Sequence, residues 1–269
     1  MARLLLLCGF VIAMACAPGR STFARYPDAP AAFDRTGADP KALEIADKVF
    51  ATAGGPGNWD KAKQVRWRQT ITSDGKVLLD GEQAWDRWNA RHYGRLHRPD
   101  VEPVVGYDLY GKFSMGFLDH GHDKHETMDE ESRQKAVKSA QERFNIDTAV
   151  LCLPFLMFEP GAKLAYVGPV HDDTGKDAFD DLKITFADPL RSPIEFHAII
   201  DRETHLIARV EMFKAGTTEK TGYILKDWTT VNGLKFAASR TNLGYAGETT
   251  AIADIAVSEP DDTLFIAPL

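Results

Sequence analysis

From residue 182 onward, apolar and polar side chains alternate almost one for one. Leu182, Ile184 and Phe186 alternate with Lys183 and Thr185. Ile194, Phe196, Ala198 and Ile200 alternate with Glu195, His197 and Ile199, and Leu206, Ala208, Val210 and Met212 with Arg209 and Glu211. A period of two puts one face of each segment on an apolar interior and the other on water or a second layer. The links between segments are short: Asp201-Arg-Glu-Thr204, Lys214-Ala-Gly-Thr217, Asn232-Gly233 and Tyr245-Ala-Gly247. Strands joined so closely must be antiparallel neighbours. Asn-Gly suits a two-residue hairpin because both positions need positive φ. The last third therefore predicts a meander.

The first half carries similar signals. Residues 63–72 and 77–88 flank Ser73-Asp74-Gly75-Lys76, a hairpin pattern. Trp85, Trp88 and Tyr93 continue an extended region to about residue 97, and residues 104–118 read as a further hairpin or two short strands. Helical signals are fewer. Asp39-Pro40 opens an amphipathic helix that Gly54-Gly55-Pro56-Gly57 ends. Thr127 with Glu130 suggests a capping box before a stripe of Val137, Ala140 and Phe144. The apolar run 148–158 follows and is too short to span a membrane. The fold class expected is α+β: one large curled antiparallel sheet, a half-barrel, with segments 40–53, 130–144 and 148–158 covering its concave face.

The N-terminus reads as a signal. Arg3 precedes the apolar stretch Leu4–Ile12, and Ala13-Met14-Ala15 leads to Cys16. Small residues before a Cys suit lipoprotein processing, in which Cys16 takes a lipid anchor. Ala13 stands where that pattern usually has Leu, and plain secretion is the alternative. The domain plan is a signal over 1–15, a lipidated flexible tether over 16–38, and a single domain over 39–269. With 3 Cys, the chain is no disulfide scaffold. A net charge of −7 gives no general attraction to nucleic acid.

Short motifs add a resemblance. An Ala-Leu-x-x-Ala helix ends in Gly-Gly, and Gly57-Asn-Trp-Asp60 leads into a strand. Leu153-Pro-Phe155, Phe179-Asp-Asp-Leu-Lys-Ile-Thr-Phe186 and Ile200-Asp-Arg-Glu-Thr-His-Leu-Ile207 follow. Asp227-Trp228, Val231-Asn-Gly-Leu-Lys235 and Asp262-Thr-Leu-Phe265 close the set. Together these resemble bacterial envelope proteins with the LolA/LolB-like half-barrel, including lipoproteins of that architecture. The resemblance implies a curled sheet capped by helices and an apolar cavity for acyl chains. Phe236-Ala237 after the Asn-Gly turn, where relatives often have Pro, and the His-rich stretch at 119–131 depart from that pattern.

The function expected is non-enzymatic: an envelope lipoprotein facing the periplasm, outer membrane favoured over inner. It would hold a lipid or other apolar ligand, need no cofactor, and meet the membrane through its anchor and an envelope partner of unknown identity. Strand positions Phe186, Phe196, Ile200, Val210, Met212, Leu225 and Phe236 are the expected lining. Phe155, Leu156, Met157 and Phe158 form a soft apolar lid or core, with Pro154 as a break.

Two alternatives remain. One is a metal-dependent hydrolase built on His120, His122 and His125. These approach a His-x-His-x-Asp-His pattern, but Lys124 replaces the Asp. The plainer view of this segment is a solvated loop before a helix. The other alternative is a structural envelope protein whose sheet is completely filled. Cys152, between Leu151 and Leu153, reads as a buried, unreactive thiol. His197 and His205 read as outward or edge strand residues, and Asp172-Asp173 and Asp180-Asp181 as turn residues. The five Trp read mainly as core.

Overall fold

The computed structural model describes residues 32–188, 190–214 and 219–268. The expected signal and Cys16 lie outside them. The tether overlaps the described residues only in its last positions. There Phe33 packs edge-on against Phe158 with centroids 5.2 Å apart, and Arg35 pairs with Asp47.

Thirteen strands form one open antiparallel sheet. In chain order they are β1 (Gln64–Ser73), β2 (Lys76–Asp86), β3 (Arg91–Leu96), β4 (Glu102–Asp108), β5 (Ser114–Asp119), β6 (His125–Thr127), β7 (Ala162–His171), β8 (Asp177–Phe186), β9 (Ile194–Asp201), β10 (Ile207–Lys214), β11 (Lys220–Val231), β12 (Leu234–Asn242) and β13 (Glu248–Ser258). The sheet runs from β6 through β1, then from β13 back to β7. Two meanders thus meet at a seam where β1 pairs with β13, from Gln64 opposite Ser258 to Ser73 opposite Glu248. Both predicted two-residue turns form: Asp74 and Gly75, and Asn232 and Gly233, all have positive φ.

Helix α1 (Pro40–Thr52) starts where expected, with Asp39 accepting from the amides of Lys41 and Ala42. A second short helix, α2 (Gly55–Trp59), follows at once and was not expected. Helix α3 (Glu130–Leu156) merges two segments that the sequence separates. No breaker stands between them, and Asp147 at the joint is held inside by polar partners. Pro154 falls in the last turn, where few helical bonds remain to be lost. The cap of α3 is Asp129, which accepts from the Ser132 amide. Thr127 is not the cap, because it belongs to β6.

Helix α3 carries the chain from edge strand β6 to edge strand β7. Its 27 residues span roughly 40 Å. Thirteen strands laid flat would span roughly 58 Å. The helix and the short links at its two ends join the sheet's edges, a connection that a curled sheet shortens.

The helices contact β7, β4, β5 and β12 and share one buried cluster with the strands. Neighbouring side chains separate the faces. Trp85 belongs to this cluster, whereas Ala84 joins Tyr93, Val104, Met115, Phe117 and Phe265 in a second one. Phe265 arrives on the short 3-10 turn Asp262–Phe265. The alternation slips at bulges in several ladders, and one of them moves a predicted core position. A bulge between Ile207 and Arg209 turns Ile207 rather than Leu206 into the core.

Candidate functional site

The nine expected ligand residues, Phe155, Met157, Phe186, Phe196, Ile200, Val210, Met212, Leu225 and Phe236, all lie in the main buried cluster. They pack on one another and on the helices. Phe155 stacks on Trp59 at 4.4 Å and meets Phe236 edge-on at 5.5 Å, while Phe186 meets Phe196 at 5.7 Å. Leu156 is buried with them, and Phe158 packs at the margin.

The open space lies elsewhere. A cavity of about 360 Å³ separates the N-terminal half of α3 from β2, β3 and β4. That is within the range of small-molecule sites, roughly 300–1,000 Å³. Leu79, Leu96, Pro103 and Val105 supply apolar walls from the sheet side, and Ala136 and Ala140 from α3. The space exists because small side chains face each other. Ser132, Ala136, Ser139 and Ala140 recur at helical spacing, opposite Gly81 and Gly94. A Cβ on Gly94 would make only ordinary contacts, the nearest 3.5 Å from His92, so a larger side chain there would grow into the cleft.

One end of the cleft is polar and buried. Asp147 on α3 accepts from Gln69 at 3.1 Å, Gln83 at 3.0 Å, Arg143 at 3.3 Å and Arg240 at 3.1 Å. The Gln69 amide oxygen accepts from Arg240 at 2.9 Å. Since the Gln83 nitrogen donates to Asp147, its oxygen is free to accept, and His92 Nε2 lies 3.2 Å from it. This fixes the His92 proton on Nε2. Burial against Phe144 and Tyr107 pushes His92 down to about 3, so its ring is neutral. Its Nδ1 is buried without a partner.

The cleft lining is basic. Arg95, Arg98, Lys135 and Arg143 line it against a single carboxylate, Glu82. Glu82 is 3.4 Å from His97 Nε2. Arg95 is already bound to Glu102 and Asp119. Sequence reasoning missed this cleft. The available signal was the match between small residues on α3 and glycines in β2 and β3.

A second buried polar group closes the core beyond the cleft. Arg87 stacks 3.6 Å above Trp59, donates to the Trp59 and Ala62 carbonyls, and pairs with Glu159 at 3.1 Å. Arg191 pairs with Asp188 at 2.7 Å, and Tyr110 donates to the same carboxylate at 3.0 Å. Cys152 is buried, and desolvation pushes its thiol up to about 12, as its apolar neighbours implied.

The His-rich stretch forms the β5–β6 hairpin rather than a plain loop. His120 lies 3.4 Å from Glu126 and His125 3.7 Å from Asp119. Among the described residues, no three His, Cys, Asp or Glu are grouped to hold a metal ion. His197 faces outward from β9, bound to Asp181 and Glu195, and these partners raise its pKa, Asp181 most. His205 is not a strand residue; it sits in the Asp201–Leu206 turn at positive φ. Asp180 and Asp181 lie inside β8 rather than in a turn, where Asp180 binds Arg202 of the Asp201–Leu206 turn and Asp181 binds His197 of the neighbouring strand β9. Asp172 does act in a turn, accepting from Thr174 and Lys176. Trp59, Trp67 and Trp85 are core, whereas Trp88 is 37% exposed.

Among solved structures, the chain is similar to a DUF1329 family protein from Desulfovibrio piger. The TM-score is 0.50 at 13% identity, covering 85% of this chain and 98% of that one. It is also similar to a putative outer membrane lipoprotein-sorting protein domain from Vibrio parahaemolyticus (TM-score 0.43, 11% identity, 81% and 92% covered). A LolA superfamily protein from Nitrosomonas europaea gives a TM-score of 0.38 at 9% identity, with 82% and 97% covered. No protein-family model and no curated protein matches the chain. These likenesses concern the fold alone, and the one-sheet architecture with its few helices is what this chain shares with the DUF1329 family protein.

Proposed function

We propose that this chain is a non-enzymatic envelope protein that holds a lipid or other apolar ligand in the cleft between α3 and β2–β4. The cleft carries the reading: about 360 Å³ of space with apolar walls on both sides. Each methylene moved from water into such walls contributes about 0.8 kcal/mol. Binding therefore needs no reactive group. An acyl chain too long for the cleft would reach Phe155, Met157, Phe186, Phe196, Ile200, Val210, Met212, Leu225 and Phe236, which are packed in the buried cluster, only if the C-terminal part of α3 moved to open it. Cys16 supplies a lipid anchor, residues 16–38 the lipidated tether, and the folded domain faces the periplasm from the outer membrane.

The test uses the purified full chain and a neutral apolar fluorophore such as phenylnaphthylamine. Expected are saturable uptake, a co-purified lipid in native mass spectrometry, and loss of uptake by about tenfold or more in Ala136→Trp, which fills the cleft. Ala136 is not a buried core residue, so Tm should stay near that of the parent. No lipid and no uptake would remove the carrier reading and favour a filled structural sheet. Labelling with a clickable palmitate, lost in Cys16→Ala, tests the anchor.

A further inference from the structure

The ligand's apolar part is set by the walls; its head is set by charge. The whole chain is acidic, with a net charge of −7. Its cleft is the reverse, four cationic side chains against one carboxylate. Two of the four are committed: Arg95 to Glu102 and Asp119, and Arg143 to Asp147. The sole carboxylate, Glu82, faces His97. Arg98 and Lys135 remain. Both are exposed, both border the cleft, and neither pairs with a carboxylate among the described residues. Arg98 lies just beyond the end of β3, and Lys135 lies in the second turn of α3. The opposite end of the cleft offers no comparable place for an anion. There His92 is neutral, the Gln83 nitrogen already donates to Asp147, and that carboxylate repels a second negative charge.

We propose that the cleft takes an amphiphile with an anionic head, a carboxylate or a phosphate. The hydrocarbon lies between Leu79, Leu96, Val105, Ala136 and Ala140, and the head is held at the mouth by Arg98 and Lys135. This rests on the cleft reading above and adds the head group and its two contacts. Exposed charge pairs are individually weak, about 0.2–1 kcal/mol each. The head therefore selects among ligands whose chains supply most of the affinity. A bidentate Arg grip and a Lys point charge fit either oxyanion.

The experiment displaces phenylnaphthylamine from the full chain with decanoate, decyl phosphate and decanol, which share a chain length. The expected result is that one or both anions compete roughly fivefold or more better than decanol at low salt, an advantage of about 1 kcal/mol from two exposed pairs. The better anion names the head. Raising the salt, or introducing Arg98→Glu with Lys135→Glu, should abolish the preference while decanol competes as before. Both side chains are exposed, so the reversals leave the core intact, and thermal melting of the double variant confirms it. Equal competition by all three compounds overturns the anionic-head inference and leaves the cleft reading standing. Binding of none of them, nor of the fluorophore, overturns both.

Discussion

At the scale of single residues, the most consequential group is Asp147. It is buried and accepts from four side chains, Gln69, Gln83 and Arg240 on three other elements and Arg143 one turn back on its own helix. The Arg240 guanidinium it faces is 3% exposed. Truncating one member of a buried ion pair leaves the other charge uncompensated, which typically costs about 3–5 kcal/mol. Asp147→Ala is expected to lose that much in urea unfolding. The double change Asp147→Leu with Arg240→Met is expected to recover most of it. His92 sets a pH dependence. Its folded pKa of about 3 lies below the unfolded value near 6.5. The unfolded chain therefore binds a proton that the folded ring refuses. The His92 contribution is intact above about pH 6.5 and falls toward about pH 3, by up to roughly 1.4 kcal/mol per pH unit. His197 has the opposite sign. With its pKa raised by Asp181, its contribution is present below pH 6.5 and lost as pH rises through the folded value. His92→Gln should lose less stability than the parent between pH 7 and pH 5; an equal loss would show that the ring takes no part.

At the scale of elements, the joint between α1 and α2 ties the helices to the sheet. The Ala53 carbonyl accepts from Lys235, and Asn58 donates to the carbonyls of Gly54 and Gly233. Gly54 has φ +125°, and a Cβ there would overlap the Gly233 carbonyl. Gly54→Ala must therefore move backbone at both ends of the contact. It is expected to cost about 2 kcal/mol or more in thermal or urea unfolding. The elements that sequence made legible are those governed by local rules. Asp74-Gly75 and Asn232-Gly233 dictate their turns, Asp39 caps α1, and period two marks the strands around Leu182 and Phe196. The fusion of α3 was hidden, because what stabilises Asp147 inside it comes from β1, β2 and β12. The bulge before Arg209 was hidden too, since one extra residue changes the phase without changing composition. The cleft was the least visible. It depends on the distance between α3 and β3, and no local pattern specifies that distance. Phe186 and Phe196 were rightly read as facing the interior. Whether an interior position faces a cavity or another side chain is decided by the opposite layer.

At the scale of the whole molecule, the architecture is two meanders joined at one seam and bridged by one helix. The helix crosses from edge to edge and leans on β4, β5 and β12. The half holding β7–β12 is filled by the apolar end of α3, whereas the half holding β2–β4 meets its small-residue, basic portion. One helix with two kinds of surface thus makes one half of the sheet a packed core and the other a receptacle. The seam has a different consequence. Strand β1 is synthesised with eleven strands still to come before its partner β13, so the first meander waits with a raw margin until β13 has emerged. A change that prevented β13 from pairing would strand both halves without their common border. Substitutions that break this one ladder should accordingly be tolerated poorly.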